Sequence, residues 1–216
     1  AQVGTVGHRH SAVGGIIASI GKGLLNVVTF GGYSAHENAK AQKKAAEAAA
    51  KQGKSVLLLE ASGYLGGAAS NCLIYPFMMW WTRVDDGEGG KKRHDLSRGL
   101  YTVYHDELMA RGGFVDETLK VILDEHMTAA GVSVLFHATL CGVEKDGAHI
   151  KSVSVATKAG ILTFEGKMFI DCTGDADLCT MAGMPMMLGR EQDHLCQPMT
   201  LCFRVCNVDK PTFFAN

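Results

Sequence analysis

The most constraining feature of this chain is a short apolar run that ends on an acidic residue and passes into a glycine-rich loop. The run, Val56 to Leu59, is too short for a helix and contains no polar position. Such a run is typical of a strand that is buried on both faces, as in a parallel sheet covered by helices. Glu60 follows at once, and an acidic residue at the carboxyl end of a buried second strand accepts hydrogen bonds from a ribose diol. The segment 54–70 therefore predicts a nucleotide-binding edge of a parallel sheet.

The residues before this run predict a strand, a turn and a helix. Asn26–Phe30 is β-branched and aromatic, which predicts a strand that runs into Gly31 and Gly32. Glu37–Gln52 is rich in strong helix formers, and Gly53 follows it as a helix-ending glycine commonly does. The order strand, glycine turn, helix and strand is that of a βαβ unit. The two adjacent glycines are therefore candidate phosphate-binding residues.

The turn that should bind a pyrophosphate departs from the G-x-G-x-x-G pattern. Counting back over a usual helix length places the glycine positions near Glu37, Ala39 and Gln42, and none of these is glycine. The pair at 31–32 lies earlier and would need a longer loop. A second candidate, Gly7–Ala12, has arginine at its middle position and lies too far ahead of the acidic strand. Two explanations stay open: an unusual pyrophosphate loop, or an altered N-terminal sequence.

Composition and charge narrow the class of protein. The chain has 216 residues, of which 47% are hydrophobic and 20% charged, as in a globular protein. A net charge of −1 gives no long-range field that would attract nucleic acid or an anionic membrane surface. No apolar run approaches the roughly 20 residues that span a bilayer. The 7 cysteines form no C-x-x-C pair, so we expect a cytoplasmic protein without a zinc or iron–sulfur site.

Helices and a β-meander are predicted between the acidic strand and the end of the sheet. Apolar periodicity predicts helices over Leu96–Arg111 and Asp116–Ala130, the second with Asp116 as its N-cap. Between the acidic strand and these helices, Asp85–Lys92 is predicted to be an exposed loop. A strand over Val132–Phe136 is followed by three strands that are separated by glycine-containing turns and predict an antiparallel meander: Leu140–Glu144, Ile150–Thr157 and Ile161–Phe164.

A second strand that ends in polar residues follows the meander. The short apolar stretch 167–170 leads into a Thr-Gly-Asp turn and a helix over Asp177–Met181. This order places Gly174 and Asp175 at the carboxyl edge of a sheet, where ligands bind in open α/β folds. The alternative is that the acidic residues only cap the helix. Further on, Met199–Val205 has the pattern of a strand.

Three segments together resemble the FAD-dependent oxidoreductase family that is related to the flavin subunit of heterodisulfide reductase. They are Leu-Leu-Leu-Glu followed by Tyr-Leu-Gly-Gly-Ala-Ala-Ser and Tyr-Pro-Phe-Met; Phe-Ile-Asp-Cys-Thr-Gly-Asp-Ala-Asp-Leu; and the stretch 189–204. The resemblance covers residues 53–209 and implies a two-dinucleotide-binding flavoprotein. Because members of that family are normally much longer, we expect an N-terminal portion.

The resemblance implies an α/β fold, with a Rossmann-like FAD-binding domain that has a parallel sheet, inserted helices and a β-meander. We expect this domain to span residues 26–185. Residues 1–36 form an N-terminal segment that the patterns do not place, and residues 186–216 would begin an incomplete substrate domain.

The resemblance also implies which residues bind FAD on its adenosine side. Glu60, at the end of the second strand, would bind the adenosine ribose. Gly66, Gly67 and Ser70 would lie along the cofactor, and Val143 would contact adenine through its backbone.

Later segments would complete the cofactor site. Gly174 and Asp175 would approach the pyrophosphate and the ribityl chain, and Gln197–Thr200 would enter the second domain near the flavin ring. No catalytic acid or base is identified by these patterns. Arg190 and His194 are candidates because they flank the entrance to the second domain, and a surface salt bridge or packing is the alternative role for both.

These assignments predict an oxidoreductase that transfers hydride between a small-molecule substrate and a bound flavin. A second polypeptide or a homo-oligomer would supply the segments that the chain lacks. The alternative is a non-catalytic Rossmann-like binding or scaffolding module that has lost its phosphate loop. An NAD-binding dehydrogenase is disfavoured, because a simple nicotinamide domain needs neither the Leu-Gly-Gly loop nor the meander.

Overall fold

The computed structural model describes residues 27–31, 46–73 and 80–215. The predictions for residues 1–26 and 32–45, which include Gly32 and the G-x-G-x-x-G candidates, lie outside the described residues. Residues 46–51 are helical and are followed by Gly53 at φ +73°, which confirms the described part of the predicted helix before the acidic strand.

Nine strands and five further helices are assigned within the described ranges. The strands are β1 (Val27–Gly31), β2 (Val56–Glu60), β3 (Trp81–Asp85), β4 (Lys91–Asp95), β5 (Ser133–Leu135), β6 (Thr139–Asp146), β7 (His149–Thr157), β8 (Gly160–Glu165) and β9 (Phe169–Ile170). The helices are α1 (Ala68–Asn71), α2 (Leu100–Ala110), α3 (Asp116–Ala129), α4 (Asp177–Met181) and α5 (Lys210–Ala215).

The central sheet is parallel and has the strand order β5-β2-β1-β9. This is the order of a Rossmann-like unit, in which the fourth strand of the sheet pairs with the first strand on the side away from the second. The register places Gly31 opposite Glu60 and Leu59 opposite Leu135, so the carboxyl ends of three strands meet at one edge. The predicted Rossmann-like α/β fold is confirmed, and so is the antiparallel meander of β6, β7 and β8.

Strand β2 lies in the middle of the core, and all five of its residues are buried. Val56 and Leu58 pack in a cluster with the helices, whereas Leu57 and Leu59 pack in a second cluster with the meander. Side chains alternate between the two faces of a strand, so an uninterrupted apolar run is required where both faces are covered. Each fully buried leucine stabilises the fold by roughly 1.5–3 kcal/mol.

Two predictions about the inserted helices need correction. The first helix begins at Leu100 rather than Leu96, because the amide of Leu96 donates to the Trp80 carbonyl and closes a hairpin instead. Asp116 is not the N-cap of α3; Val115 holds that position with extended φ and ψ. The Asp116 carboxylate instead accepts a hydrogen bond from Arg204 Nη2 at 2.6 Å.

The segment Asp85–Lys92 contains the turn of a hairpin, and its ends belong to β3 and β4 rather than to a loop. Strands β3 and β4 pair antiparallel with Asp85 opposite Lys91. Within the turn, Asp86 Oδ1 accepts hydrogen bonds from the amides of Glu88 and Gly90 at 2.8 and 2.9 Å. Every residue of β4 is exposed, so this strand lacks the apolar alternation that marks a half-buried strand.

The predicted strand over Met199–Val205 is wrong for this structure. These residues are assigned neither strand nor helix, and Met199, Leu201 and Phe203 are 99%, 88% and 77% exposed. A strand is stabilised by hydrogen bonds to a neighbouring strand, and no strand among the described residues pairs with this segment. In the described ranges, no helix is both long enough and apolar enough to cross a bilayer.

Candidate functional site

The carboxyl edge of the parallel sheet collects most of the predicted ligand-binding residues. Gly31 ends β1 directly opposite Glu60 at the end of β2. On the other side of β1, strand β9 pairs in parallel and leads into the turn that contains Gly174 and Asp175. The topology therefore brings three segments that are distant in sequence to one edge of the sheet, where open α/β folds bind ligands.

The Glu60 carboxylate is fully buried and is oriented by the residues that follow it. Its Oε1 atom accepts hydrogen bonds from the Ser62 amide and the Ser62 hydroxyl, both at 2.9 Å. Ser62 Oγ also lies 2.6 Å from the carbonyl oxygen of Tyr64, so its one proton is shared between two acceptors. From α3, Lys120 Nζ lies 3.9 Å from the centroid of the Tyr64 ring. The loop after Glu60 is thus held by the bonds of Ser62 within it and by the contact of Lys120 with Tyr64.

The double glycine adopts a backbone that other residues rarely take. Gly66 and Gly67 have φ values of +132° and +53°. A Cβ atom on Gly66 would lie 1.8 Å from Ser70 Oγ, so this position has no room for a side chain. Ser70 is buried, and its hydroxyl donates to the carbonyl of Leu65 at 2.8 Å. Ser70 supports the glycine loop, and contact of these three residues with a cofactor stays a prediction.

The turn after β9 is organised by Asp171 and Thr173, which lie in the quoted motif but received no predicted role. Asp171 Oδ1 accepts from the amide and the hydroxyl of Thr173 at 2.9 and 2.8 Å, and Oδ2 accepts from the Cys179 amide at 2.9 Å. Burial raises the pKa of Asp171, but these hydrogen bonds outweigh burial and hold the pKa below its ordinary value. The Asp-x-Thr spacing is the available signal, because aspartate commonly binds the backbone two residues on.

The geometry of this turn shows which residues bind the amides at the start of the helix that follows it. The Asp177 amide, at the start of α4, donates to Thr173 Oγ1 at 2.8 Å. Thr173 and Asp171 therefore accept bonds from amides in the first turn of α4, while Asp175 is exposed and the adjacent Gly174 has φ +98°. Burial raises the pKa of Asp177, and the nearby charges of Asp175 and Asp171 raise it further.

Three other predicted residues lie in the meander and in the segment between α4 and α5. Val143 is in the middle of β6, opposite Val153, and packs half-buried against the cluster between meander and sheet. Arg190 forms two hydrogen bonds with Asp193 at 2.7 and 2.6 Å, and His194 Nδ1 lies 3.3 Å from the Leu188 carbonyl oxygen. Arg190 thus forms the exposed salt bridge that was its alternative role.

The cysteine that follows Asp171 is buried, and its thiol is perturbed by this burial. Burial, with the nearby charge of Asp171, raises the pKa of Cys172 to about 12, so this thiol stays protonated at neutral pH. Over the same ranges, no group of three or more His, Cys, Asp or Glu side chains is arranged to hold a metal ion.

Comparison with known sequences assigns the family. A profile of the family described as FAD dependent oxidoreductase matches residues 41–216, which is most of the chain. The chain belongs to the FAD dependent oxidoreductase family. Its cofactor is FAD. A search of curated proteins found no match.

Three solved structures are similar at low identity. BexE is 16% identical with a TM-score of 0.45, covering 74% of this chain and 33% of its own. The p-nitrophenol 4-monooxygenase PnpA from Pseudomonas putida is 13% identical with a TM-score of 0.44, covering 74% of this chain and 44% of its own. THI4 from Thermovibrio ammonificans is 13% identical with a TM-score of 0.48, covering 86% and 73%. The chain spans about a third of the length of BexE.

Proposed function

We propose that this chain is the FAD-binding portion of an oxidoreductase that passes hydride between a small-molecule substrate and the flavin. FAD supplies the redox chemistry when it is bound, and the protein binds and orients it. Family membership supports the cofactor. The observation that carries the assignment of the site is the buried Glu60 carboxylate, which ends β2 opposite the terminal glycine of β1.

Glu60 fits the ribose of the adenosine half of FAD. An ionised carboxylate only accepts hydrogen bonds, and the Ser62 amide and hydroxyl both bind Oε1 of Glu60. A ribose diol only needs an acceptor that is fixed in place, and the bonds from Ser62 fix this one. The cost of burying the carboxylate is offset by these bonds and by the diol when FAD is bound.

The neighbouring strand ends fit the phosphates. Gly31 has no side chain, so the backbone at the end of β1 allows a pyrophosphate to approach closely. Gly174 and Asp175 lie after β9 on the far side of β1, and we assign them to the linker between pyrophosphate and flavin. Asp175 would accept a hydrogen bond from a hydroxyl of the ribityl chain.

We assign the substrate side of the site to residues outside this FAD-binding portion. The apolar side chains of segment 186–216 support this assignment, because those of Met199, Leu201 and Phe203 are exposed. In this proposal, a second domain, a second polypeptide or another copy of the chain covers them and completes the site.

FAD binding by purified protein tests the proposal. We expect the protein to take up FAD and to absorb near 450 nm, and we expect Glu60→Gln to weaken FAD binding roughly 10- to 150-fold through loss of a charge-assisted hydrogen bond. Flavin fluorescence titration measures the Kd.

Glu47→Gln is the matched control. Glu47 is also buried, but its carboxylate accepts from the Tyr104 hydroxyl among the helices. This variant should bind FAD as the wild type does. Wild-type protein that takes up no FAD would overturn the proposal and favour the non-catalytic alternative, whereas unchanged affinity of Glu60→Gln would remove only Glu60 from the site.

A further inference from the structure

We infer that His137 forms a wall of the adenine subsite, against which the purine of FAD packs. This inference rests on the proposed function, because it takes the ribose to lie at Glu60. His137 stands in the connection between β5 and β6 and was not singled out by any sequence pattern. Its backbone, its side chain and its place along the sheet edge all lead to the same assignment.

The backbone of His137 is held in a conformation that is uncommon for residues other than glycine. Its φ is +52°, in the left-handed region. The His137 amide donates to the Ser62 carbonyl at 3.1 Å, and the following amide, of Ala138, donates to the Glu60 carbonyl at 3.0 Å. The connection is therefore bonded to the loop that orients the Glu60 carboxylate. Strained backbone of this kind persists only where surrounding contacts impose it.

The imidazole is packed against a glycine of the same loop. A Cβ atom on Gly63 would lie 3.0 Å from Cε1 and 3.1 Å from Nε2 of His137, closer than ordinary packing allows. The ring therefore lies against the Gly63 backbone, where a side chain would displace it. Both residues are exposed, so the ring is accessible from solvent while its position is defined.

The strand order decides which part of the cofactor meets this ring. The carboxyl ends of β1, β2 and β5 follow one another across the sheet, at a spacing of about 4.8 Å per strand. With pyrophosphate at Gly31 and ribose at Glu60, the nucleotide runs from β1 toward β5. The base leaves the ribose on the side away from the phosphate, so it lies over the exit of β5. His137 is the second residue after Leu135, the last residue of β5.

The chemistry of the two rings is matched. Adenine presents a flat π-face, and an aromatic side chain that is already held in place packs on such a face at small entropic cost. The carboxylate of Glu60 would fix the sugar while the imidazole of His137 fixes the base, and the two residues are joined through the backbone bonds of the same loop.

Replacing His137 by asparagine tests the inference. Asparagine tolerates the left-handed backbone but has no aromatic ring. We expect His137→Asn to weaken binding of FAD and of ADP by a similar factor of about 3- to 10-fold, because both ligands carry the adenosine and only FAD carries the flavin. Titration of FAD by fluorescence and displacement of FAD by ADP give the two constants. His149→Asn, on an exposed histidine at the start of β7, should leave both unchanged.

A second variant separates packing of the ring from general damage. Gly63→Ala adds a methyl group that must displace the imidazole by a few tenths of an ångström. It should weaken ADP binding in the wild-type background and have no further effect in His137→Asn, because the ring is then already absent.

The outcomes separate the inference from the proposal on which it rests. If His137→Asn binds ADP and FAD as strongly as the wild type does, the inference is wrong and the proposed function still stands. Weakened FAD binding with unchanged ADP binding would also overturn it, because the ring would then act on the flavin half. If the wild-type protein takes up no FAD, the proposed function itself fails.

Discussion

The loop after Glu60 depends on one glycine that has both an unusual backbone and no space for a side chain. Gly66 has φ +132°, and a Cβ atom there would collide with Ser70 Oγ at 1.8 Å and with Ser70 Cβ at 2.5 Å. Ser70 in turn bonds the Leu65 carbonyl. The backbone at Gly66 is therefore tightly restricted just before the chain enters α1.

Gly66→Ala should destabilise the protein strongly. We expect the free energy of unfolding to fall by about 2–5 kcal/mol, since the positive φ and the collision with Ser70 both contribute. Gly112→Ala is the control, because Gly112 has φ +107° but no atom lies within 4 Å of the position that a Cβ would take. Urea unfolding measures both, and equal losses in the two variants would show that the collision with Ser70 is relaxed at little cost.

At the scale of elements, a polar network joins the helix before β2 to the two inserted helices. Glu47 is 2% exposed, and its carboxylate meets Lys51 Nζ and the Tyr104 hydroxyl, each at 2.5 Å. His126 of α3 lies 4.0 Å from the same carboxylate and 2.6 Å from Glu107 Oε2 of α2. Buried polar groups that are fully bonded in this way fix how helices sit against one another.

This network makes stability depend on pH at the acid end. Burial raises the pKa of Glu47, but Lys51, Tyr104 and His126 outweigh burial and lower it below 4.5. The hydrogen bond from His126 is the largest cause that lowers the pKa of Glu107, with Arg111 adding to it. A carboxylate whose folded pKa lies below its unfolded value stabilises the fold above the unfolded value, and this contribution is lost as pH falls through the folded pKa.

We therefore expect the free energy of unfolding to fall as pH is lowered below about 4.5, and Glu47→Gln to remove part of that dependence. At pH 7 the same variant should lose about 1–3 kcal/mol, because the Tyr104 hydroxyl and Lys51 lose a charged acceptor. Urea unfolding at a series of pH values measures both effects.

Glu125→Gln is the control for the network prediction. Glu125 pairs with Arg111 but is 52% exposed, so its loss should cost less than about 1 kcal/mol. If the free energy of unfolding falls at acid pH in Glu47→Gln as much as in the wild type, this network does not cause the pH dependence.

At the scale of the whole molecule, the C-terminal segment differs from the rest in its apolar exposure. Side chains from Met184 to Phe214 include a series of large apolar residues that are between 43% and 99% exposed. Arg204 ties the segment to α3 through Asp116 at 2.6 Å. Exposed apolar surface of this extent promotes association or aggregation.

Replacing Met199, Leu201 and Phe203 together by serine should reduce self-association without weakening the fold. The three side chains are 77–99% exposed, so the free energy of unfolding should change by less than about 0.5 kcal/mol per substitution. Light scattering and urea unfolding measure the two effects. Leu58→Ser, at a side chain with no exposure, is the opposite case and should cost about 2–5 kcal/mol. A large loss of stability in the triple variant would show that the segment packs against the fold.

Local patterns in the sequence determined the strands of the sheet, the meander and the position of Glu60. A continuous apolar run predicts a strand buried on both faces, and the acidic residue after it lies at a strand end whatever the rest of the chain does. The helix over Asp177–Met181 was predicted with its observed bounds, because a turn and a helix start depend on neighbouring residues. The patterns that predict these features are each contained within a few neighbouring residues.

Only the tertiary structure decided which distant residues meet. His137 lies against Gly63, Asp116 binds Arg204 and Glu47 binds Tyr104, each across a separation that no periodicity reports. The exposed strand β4 was missed because its order comes from pairing with β3, and Met199–Val205 was predicted as a strand although no described strand pairs with it. An apolar or polar pattern indicates which structure a segment can form. The fold decides which partner satisfies its hydrogen bonds and covers its surface.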